Sequence, residues 1–237
     1  MSRESNTLHY GKKKINYRLL YSKRKTLEIA VHPDGSVVIK APLDSSREAV
    51  EEKLCKRIRW VNRQLDYFEQ FSPRTPTKSY VGGETHLYNG KQYRLKLLKE
   101  SPSGVRLIKG FFLVSCGSNC EPAVVKKLMD GWYLEKAIGQ FNDRFYKCWS
   151  LVKNSGIFRP SFGVKPMKRR WGSLSKKGVI TLNPELIKAP GECIDYVIIH
   201  ELCHLKHPYH SPEFYALLEK ILPDWERRKH KLEIIMA

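Results

Sequence analysis

The sequence contains no apolar run long enough to cross a membrane. Within its 237 residues, no apolar stretch reaches the roughly 18 consecutive residues that a transmembrane helix needs. The N-terminal residues also lead into polar sequence, whereas a signal peptide would continue into an apolar segment. Both absences predict a soluble, cytoplasmic protein without a membrane partner.

Cysteine is too sparse for a disulfide-stabilised scaffold. The chain has six cysteines, scattered along its length: Cys55, Cys116, Cys120, Cys148, Cys193 and Cys203. In a cytoplasmic protein we expect free thiols. Cys116 and Cys120 have the spacing of half a zinc knuckle, but no second half follows, so we interpret them as two incidental thiols in a loop.

Acidic residues are scarce relative to basic ones. The chain has 43 Lys and Arg against 24 Asp and Glu, which gives a formal net charge of +19 at pH 7. This charge predicts a polyanionic partner, most simply a nucleic acid such as DNA, with a solvated basic surface as the alternative. No single helix gathers the charge on one amphipathic face, which argues against calmodulin-like and membrane-binding functions.

The first half of the chain combines strand patterns with one helix. Residues 8–42 contain β-branched runs separated by a Pro-Asp-Gly turn at 32–36, which is typical of a hairpin. Apolar residues at spacings of three and four from Val50 to Phe68 predict a long helix, capped by Ser45 and Glu48. After a proline-rich connector at 72–79, a second β region contains Asn89-Gly90, the strongest hairpin signal in the chain.

The second half begins with another helix pattern. Helical spacing from Pro122 to about Lys153 predicts a long core helix. The run Val179–Leu182 predicts a strand, and we expect it to be an exposed sheet edge to which a peptide can add. We divide this α+β chain into a β-rich region with one long helix at 1–118 and a second domain at 119–237.

The most informative motif is His200-Glu201-Leu202-Cys203-His204, which follows an apolar run at 196–199. Residues four apart lie on one face of an α-helix, so the imidazoles of His200 and His204 can point at one ion. Glu201 can reach a water on that ion. Two neutral imidazoles and a carboxylate base are typical of a hydrolytic zinc site, whereas a coincidence of surface and core histidines is the alternative.

A catalytic zinc usually has three protein ligands, and two further histidines follow the motif. On a continuing helix, His207 would lie about 10 Å along the axis from His200, which is too far for bonds of about 2 Å. The third ligand must therefore follow a turn, and Pro208 provides a break in the helix. We favour His210, with His207 as the second choice.

Together these residues resemble the YgjP-like (DUF45) metallopeptidase family, which is related to the SprT-like and M48-type zincins. The resemblance depends on Arg170-Trp171-Gly172-Ser173, on Gly178-x-Ile180-x-Leu182-Asn183, and on the run from His200 to Phe214. It implies a zincin-like fold, with the helix that carries the motif packed on a small mixed or antiparallel sheet. It also implies a zinc-dependent peptidase with His210 as third ligand. Leu174 stands where the family typically has cysteine, so no thiol role is expected there.

We therefore expect a metallopeptidase that holds Zn²⁺ with His200, His204 and His210 and uses Glu201 as general base. Its substrate would be a protein or peptide, and it would act near nucleic acid or be guided by it. Arg170 or Tyr209 would stabilise the oxyanion. One alternative is a basic nucleic-acid-binding accessory protein, possibly of a restriction or repair system, with a structural or non-proteolytic zinc site. Another is a zinc hydrolase of non-peptide substrates.

Overall fold

A computed structural model describes residues 4–10, 13–32, 35–70, 77–153, 156, 158–168 and 170–236. The chain forms two compact units, one within residues 1–75 and one within 76–236. Pro33 and Asp34 of the expected turn, and most of the proline-rich connector, lie outside the described residues. None of the described helices is both long and apolar enough to cross a membrane.

The first unit is a four-stranded sheet covered by one long helix. Strand order is β1-β2-β4-β3, with β2 and β4 parallel and the other neighbours antiparallel. The elements are β1 (Glu4–Tyr10), β2 (Lys13–Ser22), β3 (Glu28–Val31), β4 (Val37–Pro42) and α1 (Arg47–Glu69). The expected apolar stripe of α1 is buried against residues of the sheet, which confirms the predicted helix. Ser46, rather than Ser45, caps it by accepting a hydrogen bond from the amide of Ala49 at 3.2 Å.

The second unit opens with another four-stranded sheet, of order β5-β6-β8-β7. Its strands are β5 (Thr85–Tyr88), β6 (Lys91–Leu98), β7 (Gly104–Ile108) and β8 (Phe111–Ser115). Asn89 and Gly90 have φ values of 50° and 76° between the antiparallel strands β5 and β6. Two successive residues with positive φ are the requirement of a two-residue hairpin turn, so the hairpin prediction is confirmed.

The structure joins Cys116 and Cys120 in a disulfide, so the expectation of free thiols is wrong for this pair. The chain turns through Gly117, where φ is 61°, and this turn brings the two Cα atoms to 5.1 Å. That separation lies within the range that a disulfide requires. The other four cysteines are free; Cys55 is exposed and Cys148, Cys193 and Cys203 are buried.

The remainder of the second unit packs helices against a three-stranded mixed sheet. The helices are α2 (Pro122–Val152), α3 (Gly191–Cys203), α4 (Pro212–Ile221) and α5 (Trp225–Met236). The strands are β9 (Ser161–Val164), β10 (Gly172–Leu174) and β11 (Val179–Leu182), and a 3-10 helix follows at Pro184–Lys188. The expected long helix from Pro122 is confirmed. The helix with the histidine motif lies against a small mixed sheet, as expected of an α+β, zincin-like domain.

The role expected for the strand Val179–Leu182 is wrong. This strand, β11, is central, because it pairs antiparallel with β10 and parallel with β9. The two edges are therefore β9 and β10. The basic and aromatic sequence from Lys168 to Leu174 predicts a turn, but its last three residues form the edge strand β10.

The two compact units divide the chain at another position than the expected 118/119. Leu95, Phe112 and Val114 of the second sheet belong to the same buried cluster as Val125 and Met129 of α2. Because a shared core makes one folding unit, the second β region lies with the helices that follow it. The first unit consequently ends near residue 75.

Candidate metal centre

Helix α3 brings the histidine motif to the surface from a buried core. Ile198 and Ile199 are at most 1% exposed, so the helix is fixed by packing up to the motif itself. His200 and His204 follow on one face, and their ring centroids are 4.8 Å apart. The helix ends at Cys203, with His204 as its C-terminal cap.

The chain turns after α3 and returns His210 to the same face. His210 lies just before α4, whose first turn is capped by Ser211. Its Nε2 atom is 3.0 Å from Nε2 of His200, and its ring centroid is 4.7 Å from that of His204. One ring nitrogen from each of these three residues lies within 4.8 Å of the other two. His210, rather than His207, is therefore the histidine that converges with the motif.

The donor set fits a divalent ion that prefers imidazole. Nitrogens that share a zinc at about 2 Å in tetrahedral geometry lie roughly 3 to 3.5 Å apart. The separation of 3.0 Å between His200 and His210 matches this spacing, and no separation among the three residues exceeds 4.8 Å. Nδ1 of His204 lies 3.1 Å from the carbonyl oxygen of His207. A proton on Nδ1 can be donated to this carbonyl, which leaves Nε2 of His204 with a free lone pair for a metal. His207 thus contributes to the site through its backbone carbonyl, which can orient the ring of His204.

The environment favours neutral imidazoles, which is the form that binds metals. Burial lowers the pKa of His200 to about 3, with further contributions from His204, His210 and Lys229. Burial also lowers the pKa of His204, against the opposing effect of its contact with the His207 carbonyl. Nδ1 of His200 is buried without a hydrogen-bond partner in the described part of the chain.

Phe214 supports all three histidines, a role that the sequence alone did not reveal. Its side chain is fully buried, and its ring centroid lies 5.0, 4.6 and 4.9 Å from those of His200, His204 and His210. Ring contacts at these distances restrict how far each imidazole can rotate. The sequence feature that could have indicated this role is the position of Phe214 in the first turn of α4, two residues after Pro212.

Glu201 is held against the edge strand β10. Glu201 is only 7% exposed. A Cβ placed on Gly172 would lie 2.8 Å from Oε1 of Glu201. Burial raises the pKa of Glu201 to about 7, although the positive charge of Arg170 lowers it. A carboxyl with a pKa near the working pH can both accept and return a proton.

The histidines and Glu201 open into a cleft of about 700 Å³. One wall is β10 with residues of the turn that follows it, up to Gly178, and the exposed Arg170 also lines the cleft. Tyr209, the other expected oxyanion-stabilising residue, is 82% exposed and does not line the cleft. A smaller cavity of about 220 Å³ also reaches His200 and Glu201, and Lys229 and Glu233 of α5 contribute to its lining.

Comparison with known proteins identifies a matching family model and several similar solved structures, two of which are described below. The family model for the YgjP-like, metallopeptidase domain matches residues 25–234. The metallopeptidase zymogen abylysin of Pyrococcus abyssi is 34% identical over 38% of this chain and 87% of that chain, with a TM-score of 0.34. The metallopeptidase zymogen jannalysin of Methanocaldococcus jannaschii is 25% identical over 40% of this chain and 88% of that chain, also at 0.34. No curated protein matches the chain.

Proposed function

The chain belongs to the YgjP-like metallopeptidase family, and on this premise we propose that it is a zinc-dependent peptidase. His200, His204 and His210 would hold the ion, and Glu201 would act as general base. The observation that carries the proposal is the convergence of three imidazole nitrogens within 4.8 Å, beside a buried carboxylate. Three imidazole ligands favour zinc over hard cations such as Mg²⁺ and Ca²⁺, which prefer oxygen ligands.

Glu201 would carry out the proton transfers of the reaction. When bound, Zn²⁺ supplies a Lewis acid that lowers the pKa of a water towards 7 and polarises the scissile carbonyl. A carboxylate oxygen of Glu201 accepts the proton of the attacking water and then donates it to the nitrogen of the leaving amine. The burial that raises the pKa of Glu201 to about 7 supports both directions of this transfer.

The cleft suggests how a peptide is held. β10 is an edge strand, and it forms the wall of the cleft that contains Glu201 and the histidines. A peptide that adds to β10 would form main-chain hydrogen bonds, which fix its scissile bond without a strict sequence requirement. Arg170 is the better placed candidate for stabilising the developing oxyanion, because it lines the cleft and Tyr209 does not.

We also propose that nucleic acid guides the peptidase. The net charge of +19 supports this part of the proposal, because a protein so basic attracts polyanions at long range. The same charge favours the alternative function, a nucleic-acid-binding accessory protein whose zinc site is structural or non-proteolytic. The expected cytoplasmic location stays a prediction.

One experiment separates the two functions. Purified protein is incubated with β-casein in the presence of zinc, after removal of metal by a chelator, and with or without single-stranded or duplex DNA. The peptidase proposal predicts cleavage that is lost with the metal and restored by zinc, and guidance predicts faster cleavage with DNA. Salt-sensitive DNA binding without cleavage under any condition would favour the accessory protein instead.

A further inference from the structure

A second concave surface lies in the first unit, in the part of the chain that the metal centre does not use. It measures about 780 Å³ and is formed by the loop that leads from β2 into β3 together with one face of α1. Five of its lining residues are cationic and one is a carboxylate: Arg24, Lys25, Lys53, Lys56, Arg57 and Glu28. We call this surface the basic groove.

The helix presents its cations on a single face. Lys53, Arg57 and Trp60 lie at spacings of four and three on α1, so their side chains are neighbours along the helix surface. The apolar residues between them, Leu54 and Ile58, are buried under the sheet side of the same helix. The charged face of the groove is thus fixed to a packed core.

Most of this charge is not neutralised by the protein. Lys56 pairs with Glu52 at 2.6 Å, whereas Lys25, Lys53 and Arg57 form no ion pair or side-chain hydrogen bond within the described ranges. The only carboxylate of the groove, Glu28, is already shared, because it contacts Arg24 at 2.8 Å and Lys40 at 3.8 Å. Like charges on one concave surface repel each other, so an incoming polyanion lowers the electrostatic energy of the groove.

Trp60 adds an aromatic surface to the groove. Its ring is partly buried against the core of the first unit, which holds it in place while it lines the groove. A basic groove with an ordered aromatic ring combines phosphate contacts with a stacking platform for an unpaired base. A merely solvated basic surface does not require a tryptophan at this position.

We propose that the basic groove binds single-stranded nucleic acid, with Lys25, Lys53 and Arg57 contacting phosphates and Trp60 stacking on a base. Single strands are favoured over duplex because only unpaired bases can stack on the ring. This inference rests on the nucleic-acid part of the proposed function and gives it a location. It is independent of the metal centre and of peptidase activity.

The test compares two pairs of substitutions on the same helix. Lys53→Ala with Arg57→Ala removes two cations from the groove, whereas Arg59→Ala with Arg63→Ala removes two exposed cations of α1 that do not line it. Binding of a fluorescein-labelled 20-nucleotide oligo(dT) to the full-length protein is measured by fluorescence anisotropy at several salt concentrations, with chelator present. A duplex of equal length serves as the second probe.

The proposal predicts that the groove pair weakens oligo(dT) binding about tenfold or more at moderate salt. It also predicts that the slope of log affinity against log salt falls by about 1.4, because two phosphate contacts are lost. The control pair should change affinity by less than about threefold, because neither side chain lines the groove and each can contribute only salt-screened attraction at longer range. Equal losses in both pairs would overturn the assignment of the groove, and so would preferred binding of duplex.

Substitutions of Trp60 provide a second, independent test of the groove. Trp60→Phe keeps an aromatic ring and Trp60→Leu removes it, so affinity for oligo(dT) should fall in the order tryptophan, phenylalanine, leucine. Urea unfolding of both variants shows whether the first unit still folds. If folded Trp60→Leu binds like wild type, the stacking role is refuted. Absence of binding by the wild type would refute both the groove and nucleic-acid guidance, while leaving the peptidase proposal intact.

Discussion

The backbone of Gly172 lies so close to Glu201 that no side chain fits between them. A Cβ on Gly172 would lie 2.8 Å from both Cγ and Oε1 of Glu201 and 3.0 Å from Cγ1 of Val197. Contacts this short force the neighbours to move, and these neighbours belong to the well-packed helix α3. The glycine therefore determines how near the edge strand can approach the proposed general base.

Gly172→Ala is expected to lower kcat by about 10- to 100-fold, because a displaced carboxylate no longer meets the water at the required geometry. Zinc binding should persist, since the histidines are not displaced directly. Gly163→Ala in β9 is the matched control, as a Cβ there meets nothing within 4 Å. Steady-state cleavage of a fluorogenic peptide checks both variants. Equal activity of the two alanine variants would contradict the positioning role of Gly172.

Glu201→Gln removes the proton acceptor while keeping the size of the side chain. We expect kcat to fall by about 10²- to 10⁴-fold, with the zinc content unchanged. Glu219→Gln, an exposed carboxylate on α4 outside the histidine cluster, should cleave at the wild-type rate. Kinetics and metal analysis are carried out on the same protein preparations. Wild-type turnover by zinc-loaded Glu201→Gln protein would refute the role assigned to this residue.

An ion pair joins α2 to the first turns of the histidine helix. Nη1 of Arg144 donates to Oδ1 of Asp195 at 2.7 Å and to the carbonyl of Gly191 at 2.9 Å. Arg144→Ala leaves the buried Asp195 without its partner, so the free energy of unfolding should fall by about 2 to 4 kcal/mol. Arg227→Ala, which breaks exposed ion pairs with Asp224 and Glu192, should lower it much less.

Urea unfolding followed by tryptophan fluorescence measures this difference. Most of the tryptophans lie in the second unit, namely Trp132, Trp149, Trp171 and Trp225, so the signal reports mainly on that unit. A loss for Arg144→Ala no larger than for Arg227→Ala would show that the pair is not structural.

His86 should contribute to acid sensitivity of the second unit. It is 4% exposed and its Nε2 lies 3.0 Å from Oε2 of Glu84. Burial lowers the pKa of His86, although Glu84 opposes this shift. The unfolded chain then binds a proton that the folded chain does not, so stability falls as the pH drops below the unfolded value of about 6.5.

His86→Gln removes the group that takes up this proton on unfolding. In chelator, where no metal complicates the comparison, the free energy of unfolding should depend less steeply on pH below about 6.5 in the variant than in wild type. Urea titrations at a series of pH values give both slopes. Identical slopes would mean that His86 takes up its proton equally in both states.

Local patterns predicted the elements, and pairing between distant segments was the main source of error. The stripe from Val50 to Phe68 and the Asn89-Gly90 turn each encode their structure within a few residues, and both are confirmed. The central position of β11 depends on partners at 161–164 and 172–174. No periodicity within Val179–Leu182 encodes those partners.

The candidate site shows the same limit. Helix geometry and the break at Pro208 were enough to favour His210 over His207, because both arguments are local. The contact between Gly172 and Glu201, and the position of Phe214 beneath three rings, join separate elements and became visible only in the fold. The Cys116–Cys120 disulfide is not predicted, because free thiols are expected of a cytoplasmic protein and the sequence does not show how the loop brings the two residues together.

The central claim is that one ion is held by His200, His204 and His210. Its most direct test is the zinc content of wild type, His210→Ala and His207→Ala after loading and dialysis, measured by inductively coupled plasma mass spectrometry. The account predicts about one zinc per chain for wild type and for His207→Ala, which keeps the carbonyl that contacts His204. His210→Ala should retain far less. Full zinc in His210→Ala, or none in wild type, would contradict the account.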